Sequence, residues 1–389
     1  MTAASIHLPR VLRIGAGASQ QLAATLVELD LSRPLLVTDP FMVQCGYARR
    51  VEEQLEASGF EFGVFSDCVP DPTTDSVYAA LANLRGGEYD SVVGLGGGSS
   101  LDTAKAVAVL GRHGGAMREY KVPAAVDSGL PVIAIPTTAG TGSEATRAAV
   151  ITDTETDEKM LCMGLGLVPV AALVDFELTL SMPYRLTADT GIDSLCHALE
   201  AYVSRKANPF TDSVALTAMR TIYQNIRTAC AEPDNRGARE AMMLAATQGG
   251  IAFSNASVTL IHGMSRPIGA LFHVPHGLSN AMLLPEITAW SVPGAEERYA
   301  HSARTMGIAT DSDSNGVALG KLVDGLRQLN TDLSVPGPGA YGIDEATWFD
   351  SLDLMAEQAL ASGSPDNNPR IPQAPEIVEL YRRVWAAQA

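Results

Sequence analysis

Residues 261–277, IHGMSRPIGALFHVPHG, hold three of the seven histidines, His262, His273 and His276, together with Arg266. Buried imidazoles need partners, so a mostly apolar run that gathers them has a use for them. A second segment, TADTGIDSLCHALEAYVS (187–204), follows a possible cap and has helical composition. Its Asp193 and His197 are spaced i,i+4 and project from one helix face, among the apolar Ile192, Leu195, Ala198 and Leu199. One aspartate and three histidines (Asp193, His197, His262, His276) form a four-ligand set suited to Fe2+ or Zn2+, with room for a substrate oxygen. Each histidine singly reads as structural, and a lone Asp/His pair near Glu200 as surface decoration. Four candidates between 193 and 276 shift the balance to a metal centre.

The stretch SVVGLGGGSSLDTAKAVAVL (91–110) reads as a strand, the turn Gly96, Gly97, Gly98, Ser99, Ser100, and a helix. Glycines at such a turn let a ligand approach the backbone, and the helix N-terminus favours an anion such as a pyrophosphate. The pattern is neither G-x-G-x-x-G nor a P-loop, and the plainer alternative is a tight turn capped by Ser99 or Ser100. Asp39 ends the strand PLLVTD (34–39), where a carboxylate can bind a ribose 2′-hydroxyl and repel a 2′-phosphate; a helix cap before Pro40 is the equal alternative. PTTAGTGSEAT (136–146) is a second small, hydroxyl-rich loop after a strand.

The elements that must position these residues fall into two textures. Strand-like runs at 34–39, 60–65, 90–98, 131–137 and 171–175 alternate with helical stretches at 41–58, 73–85 and 100–111. That alternation predicts an α/β dinucleotide-binding domain over 1–182 with a mostly parallel sheet covered on both faces. After Pro183 come long Ala/Leu/Met-rich stretches at 187–204, 210–230, 236–253, 277–292, 314–329 and 373–388. They predict an all-helical metal- and substrate-binding domain over 183–389, with loops at 332–344 and 361–372.

Composition narrows the function. The 389 residues are 46% hydrophobic and 18% charged, ordinary for a globular enzyme of two or three domains. A formal charge of −17 argues against nucleic acid or an anionic membrane as the partner. Five scattered cysteines without a CxxC pair, no signal-peptide pattern and no long apolar run predict a reduced, cytoplasmic protein. An exposed edge strand near the N-terminus would allow two chains to pair, so a homo-oligomer, a dimer, is expected.

Taken in order, GGGSSLDTAKA, PTTAGTGSEAT, TADTGIDSLCHALEAY and HGMSRPIGALFHVPHGLSNAMLLP resemble the motifs of the iron-containing (group III) alcohol dehydrogenase family, nearly end to end. The resemblance implies a dehydroquinate-synthase-like fold of two domains with the active site between them. It implies NAD, rather than NADP, over Gly96, Gly97, Gly98 and Ser99, with Asp102 near the nicotinamide end. Thr137, Thr138 and Thr141 would line that pocket, with Lys159 as a cofactor-contacting lysine and Asp39 favouring NAD. The metal, Fe2+ or Zn2+, falls to Asp193, His197, His262 and His276, acting as a Lewis acid for hydride transfer between NAD(H) and a small alcohol or aldehyde.

Two departures stand out. Many family members carry histidine four residues after the third ligand, where this chain has Arg266; Phe176 stands where proline is usual. Arginine cannot relay a proton near neutral pH, which leaves His273 as the alternative. Arg266 then reads either as a fork for a substrate carboxylate, sulfonate or phosphonate, or as half of a structural ion pair, with Glu200 a possible partner. Pro267 leaves open whether the helix continues from His262 to Arg266. Three other functions stay open: a hydroxyacid–oxoacid transhydrogenase, a sugar-phosphate lyase or cyclase of the same fold, and a non-catalytic binding protein. Sparse cations near the ligands count against the lyase, and the intact ligand set counts against the binding protein.

Overall fold

The structure, a computed structural model, describes residues 3–387. The chain forms two compact units that divide between Met182 and Pro183.

In the first unit β1 (Val11–Ile14), β2 (Pro34–Val37), β3 (Gly63–Phe65), β4 (Ser91–Gly96), β5 (Val132–Pro136) and β8 (Ala171–Val174) make one sheet, ordered β1-β8-β5-β4-β2-β3. Every pairing in it is parallel. The strands are short apolar runs because both faces are covered. Leu35, Val37 and Val92 pack against Val77, Leu81 and Leu84 of α4 (Thr74–Arg85) and Ala104 and Val107 of α5 (Gly98–His113). Their alternates Leu36, Val93 and Leu95 meet Leu22 and Leu26 of α1 (Leu22–Glu28) and Val51 and Leu55 of α3 (Tyr47–Ala57). Each such side chain taken out of water contributes about 1.5–3 kcal/mol before the entropy of ordering is subtracted.

Two local features depart from expectation. The helix expected over 41–58 is broken into α2 (Pro40–Gln44) and α3, because Gly46 adopts φ +77° between them. The run 148–163, not anticipated as strand, is an antiparallel hairpin of β6 (Ala148–Asp153) and β7 (Glu158–Met163). Its buried face alternates Ala149, Ile151 and Asp153 on β6 with Met160 and Cys162 on β7, a mixed pattern that a search for continuous apolar runs passes over.

The second unit is helical throughout: α6 (Tyr184–Val203), α7 (Pro209–Ala231), α8 (Arg236–Asn255), α9 (Leu260–Phe272), α10 (His276–Ser291), α11 (Glu296–Met306), α12 (Asn315–Asp332), α13 (Pro338–Tyr341), α14 (Glu345–Asp350), α15 (Leu352–Ala361) and α16 (Ala374–Ala387). Buried α6 packs against α7, α8 and α10, while α9 packs against α10 and α15. The segments expected as loops, 332–344 and 361–372, carry only short α13 and one 3-10 turn, Pro365–Asn367. No helix among the described residues is long and apolar enough to cross a membrane.

Candidate active site

Helix α6 starts at Tyr184, with Pro183 as its cap, so residue 187 lies inside the helix and not at its cap. The Thr187 hydroxyl hydrogen-bonds back to the Pro183 carbonyl. This early start sets Asp193 and His197 on a fully buried face. Helix α9 runs through Pro267, which forgoes the hydrogen bond to the Gly263 carbonyl and does not end the helix. His262 and Arg266 are therefore successive positions on one face of α9. His276 is the first residue of α10.

Asp193, His197, His262 and His276 each offer a ligand atom, all within 4.8 Å of one another. Asp193 Oδ1 lies 3.4 Å from His262 Nε2 and 3.8 Å from Nε2 of both His197 and His276. A tetrahedral ion with bonds of about 2.1 Å holds its ligands roughly 3.4 Å apart, so the four donors fit a divalent metal. Three of the ligands are buried, and the His276 side chain is 43% exposed. One side of the cluster is thus open, as a catalytic rather than a purely structural site requires.

A second layer orients the imidazoles. His262 Nδ1 lies 2.5 Å from Glu200 Oε2, which turns Nε2 toward the cluster, where a metal would take the place of its proton. Glu200 Oε1 accepts from the Thr259 hydroxyl and the Ile261 amide, both at 2.7 Å. His276 Nδ1 lies 3.3 Å from Ser265 Oγ, itself 2.7 Å from Ser279 Oγ, whose hydroxyl donates to the His276 carbonyl. His197 is held by stacking instead, on Phe253 at 4.3 Å and on His262 at 4.6 Å.

Electrostatics prepare the site for positive charge. Burial pushes His197 down to about 4, so its ring is neutral and free to ligate. Burial also opposes ionisation of Asp193, but the three surrounding imidazoles outweigh it and hold the carboxyl well below its usual range. Burial disfavours charge on His262 too, yet Glu200 and Asp193 prevail and lift it to about 9. A bound metal would supply the charge that this proton otherwise supplies.

Glu200 is therefore not paired with Arg266. The half-buried Arg266 guanidinium has one hydrogen bond, a 3.5 Å contact from Nη1 to the Ser362 carbonyl, and no ion pair among the described residues. Burial lowers its pKa, and the Glu200 carboxylate opposes that shift. His273 ends α9 at φ +53°, exposed, and its ring makes no hydrogen bond among the described residues.

In the first unit β2 and β4 are neighbours whose following connections leave in opposite directions, one to β3 and the other to β5. Ligands of open α/β sheets bind at the carboxyl ends of such a strand pair. Asp39 follows β2 there, and Gly96, Gly97 and Gly98 follow β4. Gly97 caps α5 with no side-chain hydrogen bond, so neither Ser99 nor Ser100 is the cap, and the first N–H groups of the helix lack a side-chain acceptor. A Cβ at Gly98 would come within 2.9 Å of the Thr141 methyl, and one at Gly97 within 3.2 Å of the Thr138 methyl. Gly96, at φ +146°, would meet Ser100 Oγ at 2.5 Å. Ser100 instead donates to Asp39 Oδ2, while Asp39 Oδ1 caps α2 through the Met42 amide.

The remaining expected cofactor residues are engaged with protein. Thr137 is buried and bonded through its amide to the Gly96 carbonyl. Asp102 accepts from the Ser143 hydroxyl and the Val150 amide, and lies 3.9 Å from Lys105 Nζ. Lys159 pairs with Asp71 at 3.2 Å. Glu200 and Asn280, whose amide nitrogen is 2.6 Å from Asp193 Oδ1, belong to the site without having been anticipated. Helical spacing signalled both: Glu200 is i+7 from Asp193, and Asn280 is i+4 from His276.

A doubly wound dinucleotide-type sheet and a helical unit with a three-histidine, one-carboxylate cluster together describe a metal-dependent dehydrogenase. Residues 9–176 match the family described as iron-containing alcohol dehydrogenase, and residues 187–385 match the C-terminal family of the Fe-containing alcohol dehydrogenases. The chain belongs to the iron-containing alcohol dehydrogenase family, and NAD(H) and iron are the cofactors of that family. It is 33% identical over 380 residues to the NAD-dependent methanol dehydrogenase of Bacillus methanolicus, covering 97% of this chain and 99% of that one. A solved 1,3-propanediol oxidoreductase superposes with a TM-score of 0.94 at 33% identity, over 98% of this chain and 100% of that chain. Sulfoacetaldehyde reductase from Bifidobacterium kashiwanohense, solved with NAD+, superposes with a TM-score of 0.88 at 28% identity, over 99% and 100%.

Proposed function

We propose that this enzyme interconverts a small primary alcohol and its aldehyde with NAD(H), and that Arg266 favours substrates bearing an anionic group. The observation that carries the reading is the convergence of four donors with one open side. The first unit would hold the dinucleotide, and the second the metal and the alcohol. Asp193, His197, His262 and His276 would hold the metal; bound there, it supplies the Lewis acidity that makes a hydroxyl easier to deprotonate.

The chain's own residues do the rest. Glu200 and the Ser265–Ser279 pair keep His262 and His276 in the tautomer that faces the cluster. The turn Gly96, Gly97, Gly98 and Ser99 offers amide groups to the pyrophosphate, with Thr137, Thr138 and Thr141 lining the turn, and Asp102 and Lys159 bracing the hairpin beside it. Asp39 disfavours a 2′-phosphate, which selects NAD over NADP. His273, exposed where α9 ends, is the histidine left to carry the hydroxyl proton to solvent. Arg266 presents a guanidinium with no carboxylate partner among the described residues, the group best suited to a carboxylate or sulfonate. The likeness to a sulfoacetaldehyde reductase supports that substrate class.

The same proposal extends to assembly and location. Edge strand β1 leaves Leu12 and Ile14 exposed, a face that a second copy of the chain would cover in a homodimer. Five free cysteines suit a reducing, cytoplasmic setting.

The test is anaerobic NADH oxidation by the Fe2+-loaded enzyme, with butyraldehyde and succinic semialdehyde at equal concentration. A higher kcat/KM for the semialdehyde that disappears in Arg266→Met is expected. Equal or better use of butyraldehyde makes Arg266 structural. Hydride exchange between a hydroxyacid and an oxoacid, without net NADH consumption, would indicate the transhydrogenase that Arg266 also suits.

A further inference from the structure

Lys105, on α5, is fully buried. Its Nζ donates to Ser143 Oγ at 2.8 Å, the Ala148 carbonyl at 2.9 Å, Thr146 Oγ1 at 3.1 Å and the Thr146 carbonyl at 3.3 Å. All the acceptors of this ammonium therefore lie in residues 143–148, where the PTTAGTGSEAT loop runs into β6. One turn earlier on the same face of α5, Asp102 lies 3.9 Å from Lys105 Nζ. It accepts from the Ser143 hydroxyl at 2.6 Å and from the Val150 amide at 2.9 Å. Ser143 is thus held between an ammonium and a carboxylate. Burial works against the charge and pushes Lys105 down to about 8, opposed by Asp102 and Glu144. A buried ammonium is costly where an apolar side chain of the same length would pack, so what Lys105 secures is a position rather than bulk.

The segment it secures belongs to the loop that faces the glycine turn. The Ser143 amide donates to Thr141 Oγ1 at 3.3 Å, and Thr138 and Thr141 carry the methyls that a Cβ at Gly97 or Gly98 would meet. Gly98 opens α5 one turn before Asp102. The helix start and the threonine loop are thus fixed to each other through two α5 side chains inside the first unit. We propose that Lys105 is a positioning residue for the dinucleotide: it holds the threonine loop at the height over the glycine turn that the pyrophosphate requires, without touching the cofactor itself. The proposal rests on the dinucleotide-site reading and is independent of the metal and of the charge on the substrate.

The test uses the full-length, Fe2+-loaded enzyme, with NADH binding read by fluorescence titration and turnover read with butyraldehyde. Lys105→Met keeps the length of the side chain and removes the ammonium. Its Kd and KM for NADH are expected to rise about tenfold or more, while kcat at saturating NADH, the KM for butyraldehyde and the iron content stay within about twofold of the parent. Ser143→Ala removes only the hydroxyl between Lys105 and Asp102, and is expected to raise the same two NADH constants about fivefold. A lysine that merely stabilises the fold would lower the melting temperature of Lys105→Met and leave the NADH constants unchanged well below it, which would overturn the proposal. A fall in kcat with the NADH constants kept would overturn it too. If Lys105→Met fails to fold, Ser143→Ala decides by the same measurements. Failure of the parent enzyme to bind NADH would overturn the dinucleotide-site reading and this proposal with it, whereas tight NADH binding by parent and variants alike strikes the proposal alone.

Discussion

The two units hold their sites in opposite ways. In the first, the candidate dinucleotide site is made of backbone: three glycines after β4, the start of α5 without a side-chain cap, and threonine methyls where a Cβ would otherwise sit. In the second, the site is made of side chains, brought together from α6, α9 and α10 and braced by Glu200, Ser265 and Asn280. A backbone site is damaged by adding atoms, and a side-chain site by removing them. Each should therefore fail without disturbing the other's ligand.

The largest effect is expected at the ligands. His262→Ala should cost more metal affinity than the roughly 10–100-fold typical of outer-shell partners, with NADH binding kept, as read by metal analysis and NADH fluorescence. Loss of NADH binding in that variant would break the contrast between the units. Gly96→Val comes next, because its φ of +146° and the 2.5 Å approach of Ser100 leave no place for a side chain. Local strain of about 1–3 kcal/mol corresponds to roughly 5–150-fold weaker NADH binding, while iron content stays at the parent value.

Glu200→Gln sharpens the contrast from the other side. Glutamine offers one acceptor oxygen where Glu200 uses two, so if it still accepts from His262 Nδ1 its NH2 faces the Ile261 amide; Fe2+ affinity should fall about tenfold and the melting temperature should drop as well. Unchanged Fe2+ affinity would mean that Glu200 only packs α6 against α9. The smallest effect is at Asp39, which caps α2 and also faces the glycine turn. Asp39→Ala should lose about 1 kcal/mol of stability from the missing cap and raise the use of NADPH relative to NADH. A thermal melt and a comparison of kcat/KM for the two cofactors read both at once.

The same contrast explains what could be read from the chain. The glycine turn and five of the six strands of the parallel sheet were legible because their requirements are local: no side chain at a close approach, or burial on both faces. The four ligands were legible because an acid and three imidazoles stand out in largely apolar segments. Their supports were legible only as neighbours of a ligand on the same helix face; the partners were not, because Glu200 reaches His262 across 62 residues and Asn280 reaches Asp193 across 87. Glu200 does not pair with Arg266 because its carboxylate is already committed to an imidazole, the Thr259 hydroxyl and the Ile261 amide. The hairpin of β6 and β7 was not legible because its buried face mixes Ala149, Ile151, Met160 and Cys162 with a buried Asp153 and forms no continuous apolar run.

The most direct test of the metal-centred account is a titration of the metal-free enzyme with Fe2+ under anaerobic conditions, following NADH oxidation by butyraldehyde. The account predicts no turnover at the start and a linear rise that stops at about one iron per chain, the number that a single cluster can hold. Full turnover in the metal-free protein, or a rise that ignores the iron added, would contradict it.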